Sequence, residues 1–182
     1  MRMIVRSALV MTSAIFASQG ANAAPQALYG KSVVVTWLEE RQQKFPGEEQ
    51  IRLVGAAAEF DVYVSDAGRP FSRLRISVAN RRGKLRSGTK DAVGGGGSPR
   101  NVSFSGNTMT ASMPRGAGGA LLVSVTFDNG FQSCSARTVS GKGAGVEAAH
   151  ATSVITGAKI DLYSVKTSGE TCRIQNGNMF AN

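Results

Sequence analysis

From residue 31 onward the chain is written in short runs that alternate apolar and polar residues or string β-branched residues together, and none carries the apolar repeat of a long amphipathic helix. The first run, Ser32-Val33-Val34-Val35-Thr36-Trp37-Leu38-Glu39, puts Val33, Val35 and Trp37 on one side and Val34, Thr36 and Leu38 on the other. Both sides are apolar enough to be covered, which predicts a central strand over 31–41. Its continuation, Glu39 to Gln43, reads as a polar strand end, and Gln42 to Gln50, with Pro46-Gly47, as a loop. Residues 51–65 predict two strands or one bent strand, with Phe60, Val62 and Val64 pointing to the core. Gly55 and the three alanines after it mark a bulge or a close backbone approach. Asp66 to Pro70 turns the chain. Phe71 to Val78 then predicts a half-wet strand, Leu74, Ile76 and Val78 inward against Arg73, Arg75 and Ser77 outward.

Residues 80–100 break the pattern with clustered Arg and Lys and the glycines Gly94 to Gly97, and predict a long mobile loop. Beyond it, 102–105 and 109–113 around Gly106-Asn107 predict a hairpin. Residues 120–127 and 131–138 around Asn129-Gly130 predict a stronger one, because Asn-Gly fills both positive-φ positions of a type I′ turn. That turn sets Val125 opposite Cys134 and puts Cys134 on the core side with Val123, Val125 and Phe127. Residues 140–152 predict a glycine-rich opening with one helical turn over 146–151. The last hairpin is expected from 155–165 and 171–174, turning at Lys166 to Glu170, followed by a turn at Asn176 to Asn178 and a frayed end. Nine or ten short strands joined by loops predict an all-β fold, an antiparallel β-sandwich, with a partly closed β-barrel as the alternative. The Cys-Trp-Cys order of immunoglobulin domains is absent, since Trp37 precedes both cysteines.

The N-terminus changes the compartment. Arg2 and Arg6, an apolar run from Ala8 to Ala17 and Ala21-Asn22-Ala23 predict a cleaved export signal over 1–23. The run is about half of the roughly 20 residues that a membrane-spanning helix needs. No cysteine at the cleavage boundary offers a lipid attachment point. Removing 23 of the 182 residues leaves 159, the size of one domain, so 24–182 is expected to be a single β-rich domain, soluble in the periplasm or outside the cell. In that oxidising setting Cys134 and Cys172, the two cysteines of the chain, predict a disulfide rather than a redox pair or a zinc site.

The charge of +9 on the whole chain becomes +7 without Arg2 and Arg6, which favours anionic envelope polymers or an acidic protein as partners. Between Arg69 and Arg100 nine Arg or Lys residues meet one acid, Asp91. Within this segment Arg69, Arg73, Arg75, Arg81, Arg82, Lys84 and Arg86 form the candidate anion-binding set, since the arginine fork takes carboxylate, phosphate or sulfate bidentately. Outward charge that keeps sheet edges apart is the plainer role for the same residues. Nucleic acid is not expected, because no aromatic ladder interleaves the charges and export removes the chain from it. No nucleophile elbow, zinc-protease helix, phosphate loop or calcium loop occurs, so catalytic residues, metal ligands and cofactor sites are expected to be absent. His150, the single histidine, reads as a surface loop residue. Glu59 and Asp61, two apart on one strand, are the one carboxylate pair suited to glycoside chemistry, and equally suited to pairing with Arg73 and Arg75. The chain is thus expected to be an exported, non-enzymatic, envelope-associated binding or scaffolding domain. The alternatives are an anionic polysaccharide or lipopolysaccharide binder acting through 69–100, and a carbohydrate-active β-sandwich enzyme.

Overall fold

The computed structural model describes residues 23–79, 84–91, 102–114, 120–141, 149–153 and 155–181. Ten strands occur among them: β1 (Lys31–Lys44), β2 (Arg52–Val64), β3 (Pro70–Ala79), β4 (Leu85–Asp91), β5 (Val102–Ser105), β6 (Thr108–Pro114), β7 (Ala120–Phe127), β8 (Cys134–Gly141), β9 (Ala149–Thr152) and β10 (Lys159–Asn176). They form a six-stranded sheet in the order β4-β3-β2-β1-β10-β9 and a four-stranded sheet in the order β5-β6-β7-β8. Every pairing is antiparallel. The fold is therefore an all-β sandwich of two antiparallel sheets. They do not close into a barrel, so the alternative architecture is not the one adopted.

Period-two patterning decides what meets in the middle. From the six-stranded sheet Val33, Val35, Phe60, Val62 and Ile76 turn inward. From the four-stranded sheet Met109, Leu121, Val123 and Val125 meet them, all in one buried cluster. Each such aliphatic or aromatic side chain contributes on the order of 1.5–3 kcal/mol by leaving water. β1 is central, flanked by β2 and β10, and its outward Val34 is as fully buried as its inward neighbours. A disulfide joins Cys134 of β8 to Cys172 of β10, clamping the two sheets together. Beside it, Thr138 Oγ1 donates to Glu170 Oε1 at 2.6 Å, and that hydrogen bond holds the Glu170 carboxyl below its ordinary pKa.

Several local expectations are corrected. The hairpin between β7 and β8 does not turn on Asn129-Gly130: its loop spans Asp128 to Ser133, Phe127 faces Cys134, and the positive φ falls on Phe131. Asp128 organises this wider loop by accepting backbone N–H bonds from Gln132 at 2.7 Å and Ser133 at 3.3 Å, which lower its pKa. Phe131 closes it by packing on Phe127, ring centroids 5.2 Å apart. Because the register moves by two residues, Cys134 keeps its predicted side.

The turn expected at Lys166 to Glu170 is instead the middle of β10, which runs unbroken for 18 residues. Gly169, at φ +66°, sits where the β1 register shifts between Thr36 and Leu38, so the turn-like residues make a bulge in a continuous strand. The alanine run after Gly55 makes no bulge, since β1 and β2 pair without a break through it. Residues 149–152 are the strand β9 rather than part of a helical turn, and Leu85–Asp91, inside the expected loop, is the strand β4. Residues 80–83, 92–101 and 142–148 lie outside the described residues, as does the expected leader up to residue 22. The final turn is present, and Met179–Ala181 forms a docked 3-10 turn rather than a frayed end: Met179 N donates to Ser32 Oγ at 3.2 Å, and Phe180 meets Tyr63 edge-on.

Candidate anion-binding cleft

The inward side of β1 does not stay apolar. After Val33, Val35 and Trp37 come Glu39, Arg41 and Gln43, which the alternation forces onto the same side. Glu39 is only 2 % exposed. Its carboxylate accepts from Trp37 Nε1 at 2.7 Å and from Arg41 Nε at 2.5 Å, and Arg41 Nη2 completes an ion pair with it. A buried carboxylate is tolerable only with such partners. The result is a fixed Trp37–Glu39–Arg41 relay running from the core to a cleft of about 900 Å³.

Arg41, Arg52 and Arg86 line that cleft, and no carboxylate is among its described lining residues. Its apolar lining includes Val54, Ile76, Val78, Ile155 and Ile160. Arg52 lies directly across from Gln43, pairs with Glu48, and holds its guanidinium 5.8 Å from the centroid of the Phe45 ring. Arg86 faces Val78, and Val78 faces Ala56, so the pleat carries the Arg86 side chain to the same side of the sheet. Gln43 is 5 % exposed, and its Oε1 has no hydrogen-bond partner.

The candidate set read from the sequence does not converge on one surface. Arg86 joins the cleft. Arg73 and Arg75 lie on the opposite side of the same sheet, across from Asp61 and Glu59. Arg75 Nη1 bonds Glu59 Oε1 at 3.1 Å, Arg173 approaches the other Glu59 oxygen at 3.9 Å, and Arg73 lies 4.9 Å from the Phe180 ring centroid. Arg69 is exposed in the turn between β2 and β3, and Lys84 is exposed just before β4. Arg81 and Arg82 lie outside the described residues.

Glu59 and Asp61 share the outer side as their spacing requires, away from the cleft. Asp61 is 5 % exposed, and its pKa is pushed up to about 6, by burial first and by the Glu59 charge second, against the pull of Arg75, Arg173 and Arg73. His150 lies on β9 across from Asp161 rather than in a loop.

Sequence reasoning missed Arg41, Arg52 and Gln43. The signal was available in the parity of β1, where Glu39, Arg41 and Gln43 fall in line with Val33, Val35 and Trp37 and so belong to the covered side. Among the described residues no group of three or more His, Cys, Asp or Glu could hold a metal ion. No helix among them is long and apolar enough to cross a membrane. Compared with protein-family models, curated proteins and solved structures, the chain matches none.

Proposed function

We propose that this protein is an exported, non-enzymatic binding domain of the periplasm or cell exterior that takes an anionic ligand in the cleft of the six-stranded sheet. The observation that carries the reading is the lining itself: three guanidiniums around an apolar floor, with no carboxylate among the described lining residues. Arg41 is paired with Glu39 inside the sheet and Arg52 with Glu48 at its half-exposed end, so Arg86 adds most to the field that a ligand meets on entry. The net positive charge of the chain works in the same direction at longer range.

The test uses 8-anilinonaphthalene-1-sulfonate, a sulfonate on an apolar frame whose emission rises when it leaves water. The Arg52→Ser/Arg86→Ser variant is expected to weaken its binding by about 10- to 100-fold, the scale of one or two lost charge-assisted hydrogen bonds. A charge-matched control, Arg69→Ser/Arg137→Ser, removes exposed cations elsewhere and is expected to change it less than about twofold. Equal losses in the two variants would mean that general positive charge, not the cleft, attracts the anion.

A further inference from the structure

The chain carries two Asn-Gly pairs, Asn129-Gly130 and Asn176-Gly177, and the fold treats them in opposite ways. In such a pair the backbone nitrogen of the glycine can attack the asparagine side-chain amide, since glycine puts no Cβ in the way. Attack needs that nitrogen free of a hydrogen bond and the pair open to water. At Asn176-Gly177 both backbone groups of the glycine are engaged: Gly177 N donates to Gly30 O at 2.8 Å, and Gly177 O accepts from Ser32 Oγ at 2.8 Å.

Asn129-Gly130 is the reverse case. Both residues are exposed in the loop between β7 and β8. The backbone N–H bonds that shape this loop come from Asp128, Phe131, Gln132 and Ser133, and Gly130 N has no acceptor among the described residues. The side chain of Asn129 is nevertheless held. Asn107 Nδ2 donates to Asn129 Oδ1 at 3.0 Å, and Asn107 is itself pinned beside the loop by Phe127 N, which donates to Asn107 O at 2.9 Å. A donor placed on that amide oxygen stabilises the negative charge that develops on it during attack at Cγ.

The geometry points to Asn129 as a site of spontaneous deamidation, promoted by the Asn107 amide, with Asn176 protected by the docking of the chain around Gly177. Gly130 N gives its proton to hydroxide and bonds to Asn129 Cγ. The Cγ–Nδ2 bond breaks, and Nδ2 leaves as ammonia with a proton from water. Water then opens the cyclic imide at either carbonyl, giving aspartate, or isoaspartate with the main chain rerouted through the side-chain carbon. The sum is one water consumed and one ammonium released, and the neutral amide becomes a carboxylate. That charge arrives beside Asp128, whose Oδ1 already holds the Gln132 and Ser133 N–H groups. The Phe131 contact with Phe127 and the disulfide at Cys134 bracket the loop and confine the change to it. None of these residues lines the cleft, so the site stands independently of the anion-binding reading.

The experiment incubates the whole protein in mildly alkaline buffer at body temperature and follows both pairs by peptide mass mapping. Asn129 is expected to convert at least about tenfold faster than Asn176, the protection given by one or more hydrogen bonds. In the urea-unfolded chain, where neither set of contacts survives, the two rates should come within about threefold of each other. Asn107→Ala should slow Asn129 by about three- to tenfold in the folded protein and leave the unfolded rate unchanged. Gly130→Ala should nearly stop the reaction without disturbing the loop, because its φ lies outside the left-handed region and the added Cβ would meet only Gln132 Cγ at 3.6 Å. An Asn129 that stays intact, or equal native rates at the two pairs, overturns the inference. A fast Asn129 that is indifferent to Asn107→Ala refutes the part given to Asn107. Should that variant fail to fold, the ratio of the two sites in the native chain carries the test.

Discussion

Asp61 offers a test in which removing a charge should strengthen the protein. Its carboxyl is buried on the outer side of the six-stranded sheet, across from Arg73, and its pKa stands at about 6 against 3.8 for a free side chain. The folded state thus binds the proton more tightly than the unfolded chain does. Between about pH 4 and pH 6 the contribution of Asp61 to stability falls as pH rises, and above pH 6 the full penalty of its buried charge is present. A shift of about two units is worth at most about 3 kcal/mol at 1.36 kcal/mol per unit. Screening of the neighbouring Arg73, Arg75 and Glu59 by solvent lowers the expected effect to about 1–2 kcal/mol. Asp61→Asn, neutral and nearly isosteric, should recover that amount at pH 8 and nothing at pH 4, where the aspartate is already protonated. Urea denaturation followed by Trp37 emission measures it, and the melting temperature at pH 8 should rise by about 3–6 °C. A variant that is less stable at pH 8, or that gains as much at pH 4 as at pH 8, would refute the argument.

Two further perturbations address the interior. Glu39→Ala leaves the Trp37 indole N–H and the Arg41 guanidinium buried without their acceptor and should destabilise by about 3–5 kcal/mol, with Glu39→Gln recovering part of it; a loss below about 1 kcal/mol in the urea midpoint analysis would show that the relay is not needed. Replacing Cys134 and Cys172 together by alanine releases a closure between residues 38 apart and should cost about 4 kcal/mol, a loss reproduced in the native chain by reductant; unchanged urea midpoints with and without reductant would contradict it.

What the sequence made legible is what local alternation controls. Phe60, Val62 and Val64 point inward, β1 is central, and Cys134 lies on the side of Val125 and Phe127. Cys134 was placed correctly although its turn was not, because a register error of two residues preserves the side on which every side chain falls. Boundaries set by turn chemistry fared worse where tertiary contacts override it. Ser168-Gly169 has the composition of a turn, yet pairing with β1 on either side turns it into a bulge. The cleft was hidden for a different reason. Glu39 to Gln43 reads as a polar strand end because charge is taken as a sign of solvent, whereas here Glu39 is buried by an ion pair formed two residues away. Which inward residues border a cavity and which meet the opposing sheet depends on how far that sheet extends, and one-dimensional alternation carries no such information.

The long strands also fix where the protein can be held without disturbing its cleft. β1 and β10 pair from Lys31 opposite Asn176 to Lys44 opposite Asp161, so the two ends of the described chain emerge side by side. The cleft residues Gln43 and Ile160 lie at the other end of this ladder, on the order of 40 Å away along β1. A carrier, a surface or a second domain joined at either end of the described residues would therefore share one pole of the sheet and leave the opposite mouth open. A circularly permuted chain joining those neighbouring ends by a short linker should retain the two-sheet fold.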